Sequence, residues 1–265
     1  MSMLIKKMSL NLIMMGIILM SSVAYSEDSV RIAVASNFLT TLKALSQDFT
    51  KETGITVHIS NGATGMLYAQ IKHGAPYDLF FAADAKRPEM LEKEGFIEPG
   101  SRFTYVTGKL VAWSPEPEKV SPDLSTLQID NPHLHFVAIA NPKTAPYGEA
   151  AVAVLTHFGL YEMLKSQHKI ALGENIGKTY QYVVSRNAQL GLVAMSYVSN
   201  PEKPVGGEYF EIDQNLYPTL VQQAVVIKGR QSKATQSFLK FLHSEEARQR
   251  IQAYGYGLGP GEAVK

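Results

Sequence analysis

The chain of 265 residues contains no cysteine. That absence removes disulfide scaffolds, thiol nucleophiles, thiolate zinc sites and cysteine-ligated iron–sulfur clusters together. An excess of one charge sign is missing too, since 25 Lys and Arg stand against 24 Asp and Glu. No bulk field is available to hold nucleic acid or an anionic lipid surface. The sequence also lacks G-x-S-x-G, H-E-x-x-H and P-loop motifs. With no nucleophile, base and orienter in a recognisable set, an enzyme is not expected. What remains, at 45% hydrophobic and 18% charged, is ordinary globular composition,.

The N-terminus departs from that average. Lys6 and Lys7 precede an apolar run over 8–20 broken only by Ser9, Asn11 and Gly16, and small residues follow to Ala24, Tyr25 and Ser26. This order predicts a cleavable secretory signal peptide over 1–26, with an uncleaved anchor as the competing reading. The run is too short to span a membrane comfortably, and no cysteine is present for lipid attachment. Losing Lys6 and Lys7 takes the formal charge from +1 to −1. A soluble, nearly neutral exported protein is expected.

Beyond the signal, short β-branched and aromatic runs alternate with helical patterns. Strands are predicted over 30–36, 55–60 and 77–83, and helices over 40–53, 65–72 and 86–94, with Gly54 and Gly95 as stops. Two adjoining extended runs, 103–107 and 109–114, break this rhythm. A second α/β set follows: strands 135–141, 169–172 and 190–198, helices 148–158 and 177–186. A strand over 220–227 and one long helix over 234–254 complete the chain. Alternation of this kind implies parallel sheets with right-handed crossovers. Two extended crossings, at 103–110 and 213–220, divide the chain into one lobe of 27–107 plus 215–265 and another of 108–214, hinged around a cleft. The single tryptophan, Trp113, is expected to pack near that hinge.

Ligands of open α/β sheets bind beyond the carboxyl ends of strands, where helix N-termini present unpaired N–H groups. Four such junctions stand out: Ala35 to Phe38, Asn61 to Gly65, Thr144 to Gly148 and Gly173 to Gly177. They carry small and hydroxylated residues and no arginine; Lys143 and Lys178 are the only lysines nearby. They could converge on an anion held by neutral donors. Taken one at a time, Ser36 and Thr64 read first as ordinary helix caps, worth about 1 kcal/mol each without any ligand. The residues alone lead to a two-lobed α/β binding protein for an anion.

Five segments add to this: RIAVASNF, NGATGMLYAQIKHGAPYDLFFAAD, IANPKTAPYGEAAVAVL, NAQLGLVAMSYV and FLKFLHSEEARQRIQAYGYGL. With them the chain resembles the periplasmic molybdate-binding proteins of ABC-type molybdate transporters, in the type II periplasmic binding protein class. The resemblance implies two lobes, each a mostly parallel sheet flanked by helices, closing on molybdate or tungstate and delivering it to a membrane permease. It implies a monomer with no cofactor and no metal cation. Carried over by motif, the first serine donor falls on Ser36 and the second hydroxyl on Thr64. Backbone donors fall on Tyr147 and Ile176. A tyrosine donor of some relatives falls on Ala194 here, and Ser196 or Tyr197 is expected to replace it. Other oxyanions such as sulfate, or a periplasmic sensor role, are the alternatives.

The remaining motifs carry less. His133 and His135 lack a third metal ligand, the glycines of 255–261 follow a helix and open none, and Asp78 and Asp84 are expected to be structural.

Overall fold

The computed structural model describes residues 29–258, and the predicted signal peptide at 1–26 lies outside the described residues. The chain begins as β1 (Ser29–Ala35), α1 (Leu39–Thr53), β2 (Thr56–Gly62), α2 (Thr64–Lys72), β3 (Leu79–Phe81), α3 (Lys86–Lys93) and β4 (Phe103–Gly108). Next come β5 (Leu110–Ser114), β6 (Val137–Ala140), α4 (Pro146–His157), α5 (Leu160–Ser166), β7 (Ile170–Gly173), α6 (Ile176–Val184), β8 (Leu190–Ala194), α7 (Met195–Val198) and β9 (Glu208–Glu211). It ends with β10 (Leu220–Val226), α8 (Lys233–Leu242), α9 (Glu245–Ala253) and β11 (Gly257–Leu258).

Two sheets result. The first runs β11-β4-β10-β3-β1-β2 and the second β7-β6-β8-β5-β9. Each has a parallel centre, β1 with β2 and β3, and β6 with β7 and β8. Antiparallel strands complete both: β10 against β3 and β4, and β5 against β8 and β9. The sheets are therefore mixed rather than mostly parallel. The added strands are those that flank the passages between the sheets and so run back against the βαβ core. One passage is the single residue Lys109 between β4 and β5; the other, 212–219, contains a 3-10 turn at Gln214–Leu216.

Strand alternation sorts the core. Ile32 and Val34 join Phe38, Leu42, Phe49 and Phe238 on one face of the first sheet, while Ala33 and Phe80 pack with Leu67 and Ile71 on the other. In the second sheet Leu110 and Ala112 face α4, and Val111 and Trp113 face Val183 on α6. Trp113 thus packs inside the second lobe between β5 and α6, its indole N–H donating to the Gly206 carbonyl at 3.0 Å, and not at the hinge as expected. Phe49 meets Phe238 edge-on at 5.1 Å, tying α1 to α8. Truncating a buried ring of this size to Ala costs about 3–5 kcal/mol.

Several boundaries differ from the expected ones. The long C-terminal helix is two, because Ser244 ends one and caps the next, its hydroxyl accepting from Ala247 N–H at 3.2 Å, with Glu245 and Glu246 at the positive end of the dipole,. The strand expected to reach Val198 stops at Ala194, and Met195–Val198 turn helical. Helix α5, opened by Gly159 at φ 69°, and the exposed edge strand β9 have no counterpart in the sequence reading. Asp78 and Asp84 are structural, paired with Arg31 and Arg87.

Candidate functional site

The carboxyl ends of β1 and β2 in the first sheet and of β6 and β7 in the second meet across one cleft. Gly65 N–H, in the first turn of α2, donates to Thr144 O at 2.9 Å, before α4. Gly177, in the first turn of α6, lies so close to Ser36 that an added Cβ would stand 3.4 Å from the serine Cβ. Ala35, Ala63 and Ala83, at or just beyond the ends of three first-sheet strands, are buried within the core cluster of the second lobe. Small residues at these positions let two backbones approach.

The caps of these helices are unusual. The N-cap residues of α2, α4 and α7 are Ala63, Ala145 and Ala194, none of which can accept a bond from the first turn. Alanine forgoes roughly 1 kcal/mol of stability at such a position. It also leaves the Thr64 amide of α2 and the Tyr147 amide of α4 without a capping acceptor, at the positive end of the dipole, whereas Gly65 N–H goes to Thr144 O and Met195 N–H of α7 to Lys109 O. At α6 the Asn175 side chain accepts from Lys178 N–H at 3.0 Å, which leaves the Ile176 and Gly177 amides open. The Thr64, Tyr147, Ile176 and Gly177 amides, from three helix starts, are thus left without an internal acceptor, as an anion site at helix starts requires.

The hydroxyls add to this. Thr64, 1% exposed, accepts from Ala83 N–H at 3.2 Å and keeps its own proton uncommitted. Ser36 donates to Gly62 O at 3.1 Å, a bond it can exchange for one to a ligand by rotating,. Neither hydroxyl serves as a helix cap. Tyr147 and Ile176 are buried in the first turns of α4 and α6, where what they have to offer a ligand is the backbone N–H rather than the side chain.

Ser196 and Tyr197 lie beside the site in a different role. Ser196 Oγ donates to Asn37 O at 2.9 Å and Tyr197 Oη to Ser36 O at 2.6 Å, so both protons bridge the second lobe to the first. Burial holds the Tyr197 hydroxyl protonated well past the ordinary tyrosine range. Its ring stacks on Tyr180 at 4.5 Å, which stacks on Trp113 at 5.4 Å. Ion pairs cross as well: Arg250 reaches Asp48 and, on the other lobe, Glu202, each at 2.8 Å, and Arg87 reaches Glu149 at 3.6 Å.

Sequence reasoning missed two features here. Asn37, next to Ser36, is buried with its Oδ1 unpartnered, leaving one amide atom uncommitted. A cavity of ≈ 330 Å³ is lined by Ser36, Asn61 and Asn175 of the junctions together with Tyr197, Lys178 and Lys203, among others. Lys203 lies far from any junction in sequence, so nothing local signalled it. His133 and His135 line a separate cavity with Glu116 and Arg186. Among the described residues no cluster of three His, Asp or Glu side chains could hold a metal ion.

Two lobes joined by two strand passages, with helix starts from both facing one cleft, define a solute-binding protein of the periplasmic type. The chain belongs to the bacterial extracellular solute-binding protein family, whose profile matches residues 30–257. It is 45% identical over 230 residues to the molybdate-binding protein ModA of Azotobacter vinelandii, covering 86% of this chain and 90% of the relative. It is 42% identical to ModA of Rhodobacter capsulatus, covering 84% and 86%. The solved structure of the Azotobacter vinelandii periplasmic molybdate-binding protein superposes with a TM-score of 0.81 at 39% identity, over 87% of this chain and 100% of that one.

Proposed function

We propose that this protein captures molybdate, or tungstate, between its lobes in the periplasm and delivers it to the permease of an ABC transporter. The observation that carries the proposal is the convergence of helix starts capped by alanine, whose open N–H groups suit a dianion of fixed size. Ser36 and Thr64 donate through their hydroxyls, and Tyr147 and Ile176 through backbone N–H. Ser196 and Tyr197 act in closing the cleft, in place of the donor absent at Ala194. Charge-assisted bonds from neutral donors stabilise the bound ion without a salt bridge. Lys178 and Lys203, on the wall of the cavity that Ser36 also lines, supply the local field that draws it in. Phosphate, which can be protonated, calls for a carboxylate acceptor, and Glu174, the one carboxylate at the four junctions, is exposed.

The wider reading follows from this one. Residues 1–26 direct export and are removed. The lobes comprise 27–107 with 215–265, and 108–214, and the protein works as a monomer without a cofactor. The permease recognises the closed form.

A thermal-unfolding scan of residues 27–265 with millimolar molybdate, tungstate, sulfate and phosphate tests the proposal. A ligand at a thousand times its Kd stabilises by about 4 kcal/mol, so molybdate and tungstate are expected to raise Tm by several degrees and the smaller sulfate far less. Ser36→Ala combined with Thr64→Ala is expected to remove that shift. No shift with any oxyanion overturns the proposal.

A further inference from the structure

We infer that Gln222 is a positioning residue that sets the oxyanion selectivity of the cleft, by bracing its two halves at a fixed separation; this rests on the proposed reading of the site. Gln222 lies on β10 and is fully buried. Its position, between buried Leu220 and Ala224 in the strand alternation, is one an apolar residue would ordinarily fill. The pairing of β10 with β4 shifts register between Gln222 and Gln223. Irregularities of this kind re-aim side chains beside functional sites.

Both amide atoms are engaged, and they point to opposite halves of the site. Gln222 Oε1 accepts from Asn37 Nδ2 at 2.8 Å and from Tyr105 Oη at 3.0 Å, which ties it to the first-lobe turn that carries Ser36. Gln222 Nε2 donates to Tyr147 Oη at 3.2 Å, which ties it to the first turn of α4 in the second lobe. Gly108, at the passage between the lobes, makes the contact possible. A Cβ there would stand 2.1 Å from Tyr147 Oη and 2.4 Å from Gln222 Nε2. The Tyr147 ring is 1% exposed, so it transmits the position of its hydroxyl to the backbone N–H at the other end of the residue. A buried amide with one partner removed carries its full desolvation cost. The brace therefore resists both further closing and splaying of the halves. A cleft of neutral donors discriminates ions by size only if its halves stop at a set distance, and this brace supplies that stop.

The test compares the wild type with Gln222→Leu, Tyr147→Phe and the double variant. Titration calorimetry follows molybdate and sulfate, and hydrogen exchange follows residues 147–149 in the ligand-free protein. Each single variant is expected to bind molybdate about tenfold more weakly, the effect of one buried hydrogen bond. Sulfate affinity is expected to fall less, so the molybdate-to-sulfate ratio narrows. The double variant is expected to lose no more than the weaker single one, and exchange at 147–149 to quicken in all three. Should Gln222→Leu fail to fold, Tyr147→Phe, which deletes one oxygen, carries the test alone. A wild type that binds molybdate, with variants that melt lower yet keep its selectivity, overturns the role of Gln222 and leaves the reading of the site intact. A wild type that binds neither ion overturns both.

Discussion

Gly108 occupies the tightest position between the lobes, and only a residue without a side chain fits there. Gly108→Ala is expected to cost about 1–3 kcal/mol by overpacking, measured by urea unfolding, and to weaken ligand binding alongside. The hydroxyls around it set a pH limit. Burial raises the pKa of Tyr105, Tyr147, Tyr197 and Tyr256 above the ordinary tyrosine value. The folded state therefore keeps these protons when the unfolded chain has lost them. Their contribution to stability is complete below about pH 10 and is lost as pH rises beyond it. Urea melts in steps from about pH 8 to 11 are expected to show a steep fall above 10, and a flat profile would show these hydroxyls to be uncoupled from folding. At this scale the sequence was only partly legible. Ser36 and Thr64 announced themselves by standing where strands give way to helices, whereas Gln222 is a polar residue in a strand whose partners lie 185 and 75 positions away.

At the scale of the helix, a start that lacks its cap is a stability concession. Ala63→Ser supplies a hydroxyl to the first turn of α2 with little added volume. It is expected to stabilise the ligand-free protein by about 1 kcal/mol while competing with Thr144 O for the Gly65 N–H that joins the two halves of the cleft, so affinity for molybdate falls. Denaturant melts and calorimetry on the same preparation separate the two effects; a gain in stability with unchanged affinity would show that the Gly65–Thr144 bond does not shape the site. Most elements were readable because apolar spacing and glycine stops are local signals, as at Gly54, which closes α1 at φ 74°. The break between α8 and α9 had a local signal in Ser244 followed by Glu245 and Glu246, but the reading of one helix over 234–254 passed over it. Strand β9 was not readable. All four of its residues are exposed, and only pairing with β5 makes it a strand.

For the whole molecule, the bonds that cross the cleft decide how far it stays shut without a ligand. Tyr197→Phe removes the hydroxyl that reaches Ser36 O and keeps the ring on Tyr180. It is expected to shift the ligand-free population toward open forms, seen as a larger radius of gyration by small-angle scattering, and to quicken ligand release. Equal radii for variant and wild type would assign closure to the ion pairs of Arg250 and Arg87 instead. The stack that begins at Tyr197 ends on Trp113, the only tryptophan of the chain. Movement at the cleft edge is thus mechanically joined to the one indole in the protein, which reports through its own emission. Capture and release can be followed in real time on the unmodified molecule, with no dye, cysteine or tag introduced.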